Sequence, residues 1–174
     1  MKPMTCGQCG IEMISRRATL AEPYAYRMSG LSNLYLVGIE VSQCPNCEAE
    51  SPLIPRIAEL HRQVAKILLL KPAPLAGEEL RFLRKNAGLS ASRFATLLRI
   101  DAAYLSRFEN GHQRSLGGGA DKLARALVAA ATGDDTLGKI LLSLAANLHG
   151  KARKREAARV SLRLAGNHWR NAAA

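Results

Sequence analysis

Apolar residues change their rhythm part-way along the chain, and the change divides it. Between Tyr24 and Gln43, aromatic and β-branched residues crowd into short runs, 24–28 and 34–37, the latter continuing through 39–41. Gly30, Asn33 and Gly38 punctuate them. Runs of this kind predict a small antiparallel sheet. From Ile57 to Leu70 the period lengthens: Leu60, Val64, Ile67 and Leu68 fall on one helical face. Pro72 and Pro74 then end the helix, because proline has no N–H for the ladder. Everything beyond reads as helical. Leu80, Leu83 and Ala87 define one helix closed by Gly88; Phe94, Ala95 and Leu98 face inward in a second, residues 90–98. Asp101 is the N-cap expected for a third helix, 102–109, with Leu105 and Phe108 inward. Asn110-Gly111 stops it, and Asp121 is expected to cap a fourth helix running to Ala131. A last helix opens near Thr136, where Leu137, Ile140, Leu141, Leu144 and Leu148 form a stripe. That stripe either closes the core or pairs with a second subunit. The expected fold is α+β: a small antiparallel β domain with a linking helix over 1–70, an all-α domain over 71–150, and a basic tail over 151–174.

All four cysteines lie in the β half, as Cys6-Gly-Gln-Cys9 and Cys44-Pro-Asn-Cys47. A two-residue gap lets one tight turn aim both thiolates at one ion, and two such knuckles make a closed tetrahedral S4 set. The expectation is one structural Zn2+ per chain, since a catalytic zinc would keep a position open for water. A redox pair, an iron–sulfur centre and free thiols are the other readings of the same residues. Residues 1–10 contain no apolar stretch of the signal-peptide type, so a reducing cytoplasm is expected, which disfavours disulfides.

Charge separates the same two halves. Residues 1–70 carry 7 Lys+Arg and 6 Asp+Glu, a balance of +1, whereas residues 71–174 carry 18 and 8, a balance of +10. An excess of this sign points to a polyanion, most often nucleic acid. No run of 18 apolar residues is present, so no membrane helix is expected. With three Phe and one Trp in 174 residues, a small β domain has little to fill its core, which makes a metal staple useful. The four histidines, 61, 112, 149 and 168, are scattered, and no nucleophile–base or paired-carboxylate spacing stands out. No enzyme is expected.

The segment 89–111 resembles the helix-turn-helix of the Cro/cI (XRE) repressors. Ala95 is small where two helices approach, Ile100 is the apolar turn residue, Leu105 anchors the second helix, and Ser106-Arg-Phe-Glu-Asn-Gly111 matches the family's closing motif. The resemblance implies a lambda-repressor-like domain that binds double-stranded operator DNA. With Leu105 and Phe108 buried, helix 102–109 turns Ala103, Ser106, Arg107 and Asn110 outward, flanked by Ala102 and Tyr104. An arginine in the major groove can grip guanine O6 and N7 together, and Arg107 is the chosen base reader. A phosphate contact or an ion pair within the domain is its alternative use. Tyr104 packs on a sugar or a thymine methyl, or covers the helix pair. Arg93, His112 and Arg114 are the expected backbone contacts, with ordinary surface roles as the alternative. The N-terminus of helix 90–98 suits a phosphate.

Over roughly residues 4–130 the chain also resembles the MqsA/YgiT-type antitoxins, through the two knuckles, the Tyr-rich strands, Gly38-Ile-Glu-Val before Cys44, and Leu75-Ala-Gly-Glu-Glu-Leu-Arg-Phe-Leu-Arg84. That resemblance implies a homodimeric repressor whose zinc domain binds a ribonuclease toxin and whose complex represses its own operon. The family's pattern has Asn four residues before the DNA-contacting arginine. Ala103 stands there in this chain, so a different base preference is expected. A stand-alone regulator without a toxin, or a sequestering module with DNA binding secondary, are the alternatives.

Overall fold

The computed structural model describes residues 4–133 and 159–172. The fold is α+β and divides into two compact units. The β unit comprises described residues 4–27, 33–60 and 159–172; the helical unit comprises 28–32 and 61–133.

The β unit holds two sheets. In the first, β1 (Ile14–Arg17), β4 (Glu40–Gln43) and β5 (Glu50–Leu53) lie antiparallel in the order β1-β4-β5. Ile14 stands opposite Gln43, and Gln43 opposite Glu50, so the connections that enter β1 and join β4 to β5 emerge at one end. Those two connections are the cysteine knuckles. The second sheet has the order β2-β3-β6-β7, with β2 (Tyr24–Ala25), β3 (Leu34–Val37), β6 (Val160–Ala165) and β7 (His168–Asn171). Period-2 burial explains its strands: Leu34, Leu36, Val160, Leu162 and Trp169 are buried, while Arg163 and Arg170 are exposed. Trp169 donates its indole N–H to the Pro55 carbonyl at 3.0 Å.

Three sequence expectations change here. Strands are not confined to 24–43, since β1 and β5 flank that stretch. The segment from residue 160, read as a basic tail, is instead a hairpin whose first strand pairs parallel with β3. The sheet is therefore mixed rather than purely antiparallel. The boundary expected at residues 71–74 falls within α1 (Ile57–Leu70), between Leu60 and His61. The helix predicted from Thr136, its stripe of leucines, and the basic run 151–155 lie outside the described residues.

The helical unit contains the rest of α1, then α2 (Gly77–Asn86), α3 (Ala91–Leu98), α4 (Ala102–Glu109) and α5 (Gly118–Thr132). Leu80, Leu83, Phe94, Leu105, Phe108 and Val128 are at most 1% exposed and form the core. Asp121 does not cap α5, which begins three residues earlier with Gly117 at its N-cap. Its carboxylate instead accepts from the Leu75 N–H at 2.8 Å and from Arg125 at 2.9 Å. Arg125 spends its remaining donors on the carbonyls of Leu68, Leu69, Lys71 and Ala73, at 2.7–3.1 Å. One buried guanidinium thus satisfies the orphan carbonyls at the C-terminus of α1, where proline prevents a regular cap. At the start of α2, a Cβ on Gly77 would lie 1.9 Å from the Phe108 carbonyl oxygen, so only glycine lets α2 approach α4 this closely.

Candidate metal centre and nucleic-acid interface

The two knuckles share one backbone design. In the first, the Cys6 N–H donates to the Ile11 carbonyl and the Gly10 N–H to the Cys6 carbonyl, both at 2.8 Å. In the second, Cys44 donates to Ala49 at 2.9 Å and Glu48 to Cys44 at 3.0 Å. Gly10 and Glu48, four residues after the leading cysteine, are both left-handed, with φ of 72° and 58°. The turns bring the four Sγ atoms within 4.8 Å of one another, and the closest approaches are 3.5 Å (Cys6–Cys47), 3.4 Å (Cys9–Cys44) and 3.7 Å (Cys9–Cys47). Zinc–sulfur bonds of about 2.3 Å in a tetrahedron require sulfurs about 3.8 Å apart. The donor set fits. Cys6 and Cys44 face inward, Cys9 and Cys47 face solvent, and all four are free of disulfides.

The protonation of the cluster supports the same reading. The Cys47 N–H, aided by that of Asn46 and opposed by burial, draws the Cys44 thiol down to about 6. The Gln8 and Cys9 N–H groups lower Cys6 in the same way. Cys47 is helped by the Ala49 N–H, yet the adjoining Cys6 and Cys44 sulfurs push it up to about 12. Four sulfurs this close cannot all be anionic without a cation among them. The turns lower the Cys6 and Cys44 thiols, and a cation among the sulfurs would offset the repulsion that raises Cys47.

At the other site, local chemistry sets the two helices. The Ser90 hydroxyl accepts from the Arg93 N–H at 3.2 Å and starts α3; the Asp101 carboxylate accepts from the Tyr104 N–H at 2.9 Å and starts α4. Arg99, left-handed with φ of 53°, closes α3, and the half-buried Ile100 makes the turn. Ala95, 2% exposed, lets the helices pack. Burial of Leu105 and Phe108 leaves Ala102, Ala103, Ser106 and Arg107 exposed on α4. Arg93, His112 and Arg114 are exposed too. Among the described residues Arg107 makes no ion pair.

Two of the candidates are committed inside the domain. Asn110 donates its side-chain N–H to the Ser106 carbonyl at 2.9 Å and accepts from Arg81 at 3.2 Å. Tyr104, half-buried, donates its hydroxyl to the Ser115 carbonyl at 2.5 Å and so ties α4 to the loop that follows it. The sequence reading missed Arg84. Its guanidinium grips both carboxylate oxygens of Glu109 at 2.6 and 2.7 Å, donates to the Leu89 carbonyl at 2.8 Å, and is held strongly protonated by that carboxylate. The sequence signals only half of the pair: a glutamate beside the buried Phe108 needs a basic partner, but nothing local says which residue supplies it.

Comparison with known families agrees with this geometry. A family model described as a helix-turn-helix domain matches residues 75–137, which span α2 to α5 and a little beyond. The chain therefore carries a helix-turn-helix domain beside a four-cysteine cluster of metal-binding dimensions. No curated protein and no solved structure matches it. No helix among the described residues is long and apolar enough to cross a membrane.

Proposed function

We propose that this protein is a sequence-specific transcriptional repressor that reads double-stranded operator DNA with α4, and that one structural Zn2+ held by Cys6, Cys9, Cys44 and Cys47 staples its β unit. The observation that carries the reading is Arg107, an exposed guanidinium with no ion pair among the described residues, on a helix whose opposite side is fully buried. Ser106 and the short Ala103 beside it leave room for a base edge. Arg93, His112 and Arg114 supply backbone contacts, and Ala102 and Tyr104 flank the reader. As a homodimer, two such helices about 34 Å apart would occupy successive major-groove faces and exclude polymerase by bulk. The proposal extends to a cytoplasmic antitoxin of a type II pair that represses its own operon and binds a ribonuclease toxin through the β unit. That extension rests on the shared architecture of two CxxC knuckles and a helix-turn-helix. It assigns the protein no catalytic step.

Titration of promoter DNA upstream of its own coding sequence tests the reader. Arg107→Ala should weaken operator binding about 10- to 100-fold, the equivalent of roughly 1–3 kcal/mol, while leaving binding to unrelated DNA nearly unchanged. Equal affinity of variant and wild type for the operator would remove α4 from the reading role.

A further inference from the structure

The hairpin β6–β7 carries an arrangement that its fold does not need. One face of β6 and β7 buries Leu162 and Trp169; the other presents Ser161, Arg163 and Arg170 outward. Arg163 and Arg170 are direct cross-strand partners, both exposed. Like charges in that position repel one another and destabilise a sheet. Neither guanidinium has a carboxylate partner among the described residues. On the same face, Arg159 lies over the ring of Tyr35, 4.3 Å from its centroid. Residues 157–174 contain three arginines and no Asp or Glu. The carboxylate at the hairpin's turn end, Glu59, is already held by Arg56 at 2.8 Å and by His168 at 3.2 Å. Among the described residues, the outward face is therefore an arginine cluster without a carboxylate partner on a paired sheet.

We propose that this face binds the phosphate backbone of double-stranded DNA and forms a second, sequence-independent contact surface separate from the reader helix. Arg159 and Arg163 are four residues apart on one side of a strand, about 13 Å, and Arg170 stands one strand spacing, about 4.8 Å, from Arg163. Such a spread matches successive phosphates rather than a single small anion, and guanidinium forks suit phosphate oxygens. Phosphate contacts add affinity without reading bases, and a reader in the same chain keeps DNA at high local concentration. The inference deepens the repressor reading, and it rests on that reading only for the identity of the polyanion.

The test is a DNA-binding titration of the full chain at 50–200 mM salt, on operator and on unrelated DNA, for wild type, Arg163→Ala/Arg170→Ala, Arg170→Glu and Arg107→Ala. Two lost phosphate contacts should lower the salt slope by about 1.8, so wild type should lose about tenfold more affinity than the double variant across that range. The loss should be alike on both DNAs. Arg170→Glu separates binding from folding, because it replaces a repelling cross-strand pair with an attracting one: its melting temperature should rise while its DNA affinity falls. If Arg107→Ala is inert but the double variant flattens the salt slope, the reader assignment fails and the arginine face stands. An unchanged slope in the double variant overturns the face as a DNA contact.

Discussion

Arg84 and Glu109 show how a residue that looks like part of a DNA-reading motif can serve the scaffold. Their side chains are 9% and 6% exposed, and the pair joins α2, the α2–α3 loop and the end of α4. Removing one partner leaves the other charge buried and uncompensated, so Arg84→Ala or Glu109→Ala should each cost about 3–5 kcal/mol in urea unfolding. Replacing both with apolar residues of similar volume should cost far less, which distinguishes a stranded charge from lost packing. The glutamate was legible as a motif position. Its partner was not, because 25 residues separate them and only the packing of α2 on α4 brings them together. Asn110 and Tyr104 teach the converse. Both lie in the segment whose resemblance to a helix-turn-helix implies DNA contact, yet their polar atoms are spent on Ser106, Arg81 and Ser115. Periodicity ranks which side chains face outward. It does not say which of them find an internal partner.

Among the elements, the helices were readable almost to their ends and the strands were not. Helix α1 spans Ile57–Leu70 and α4 spans Ala102–Glu109, as periodicity, proline and the Asp101 cap predict. Each helix satisfies its own backbone, so local sequence suffices. Strands satisfy theirs through partners, and β1, with its exposed Ile14 and two arginines, has little apolar signal of its own. It is a strand because β4 lies beside it. The start of α2 shows a different kind of non-local demand. Glu79 accepts from the Ala76 N–H at 2.7 Å and from Lys71 at 2.8 Å, while Gly77 admits the Phe108 carbonyl. Gly77→Ala improves intrinsic helix propensity and should nevertheless lower stability by about 1–3 kcal/mol, measured by thermal or urea unfolding. A neutral or stabilising result would mean that α2 can shift away from α4 at no cost.

For the whole molecule, the four-cysteine cluster and the C-terminal hairpin matter most. The β unit is small, and its knuckles place four sulfurs where repulsion opposes full ionisation. Chelation should therefore loosen the β unit and leave the helices intact. Trp169, the single tryptophan and 2% exposed, belongs to that unit and reports on it alone. Its emission should shift to the red on metal removal while helical circular dichroism persists; an unmoved tryptophan would refute the staple. The sequence by itself determined the α+β order, the pairing of two cysteine knuckles with their two-residue gaps, the helix-turn-helix and the outward set on α4. Each of these is written in local spacing, which turn and helix geometry convert directly into direction. Tertiary structure alone decided that residues 160–171 form a hairpin beside β3, that Asp121 and Arg125 anchor the end of α1, and that Arg163 faces Arg170. Those facts depend on pairing across as many as 126 positions, as between Leu34 and Val160. Hydrophobic alternation marks a strand's buried side, but the strand it meets is chosen by which edge remains open once the rest of the chain has packed.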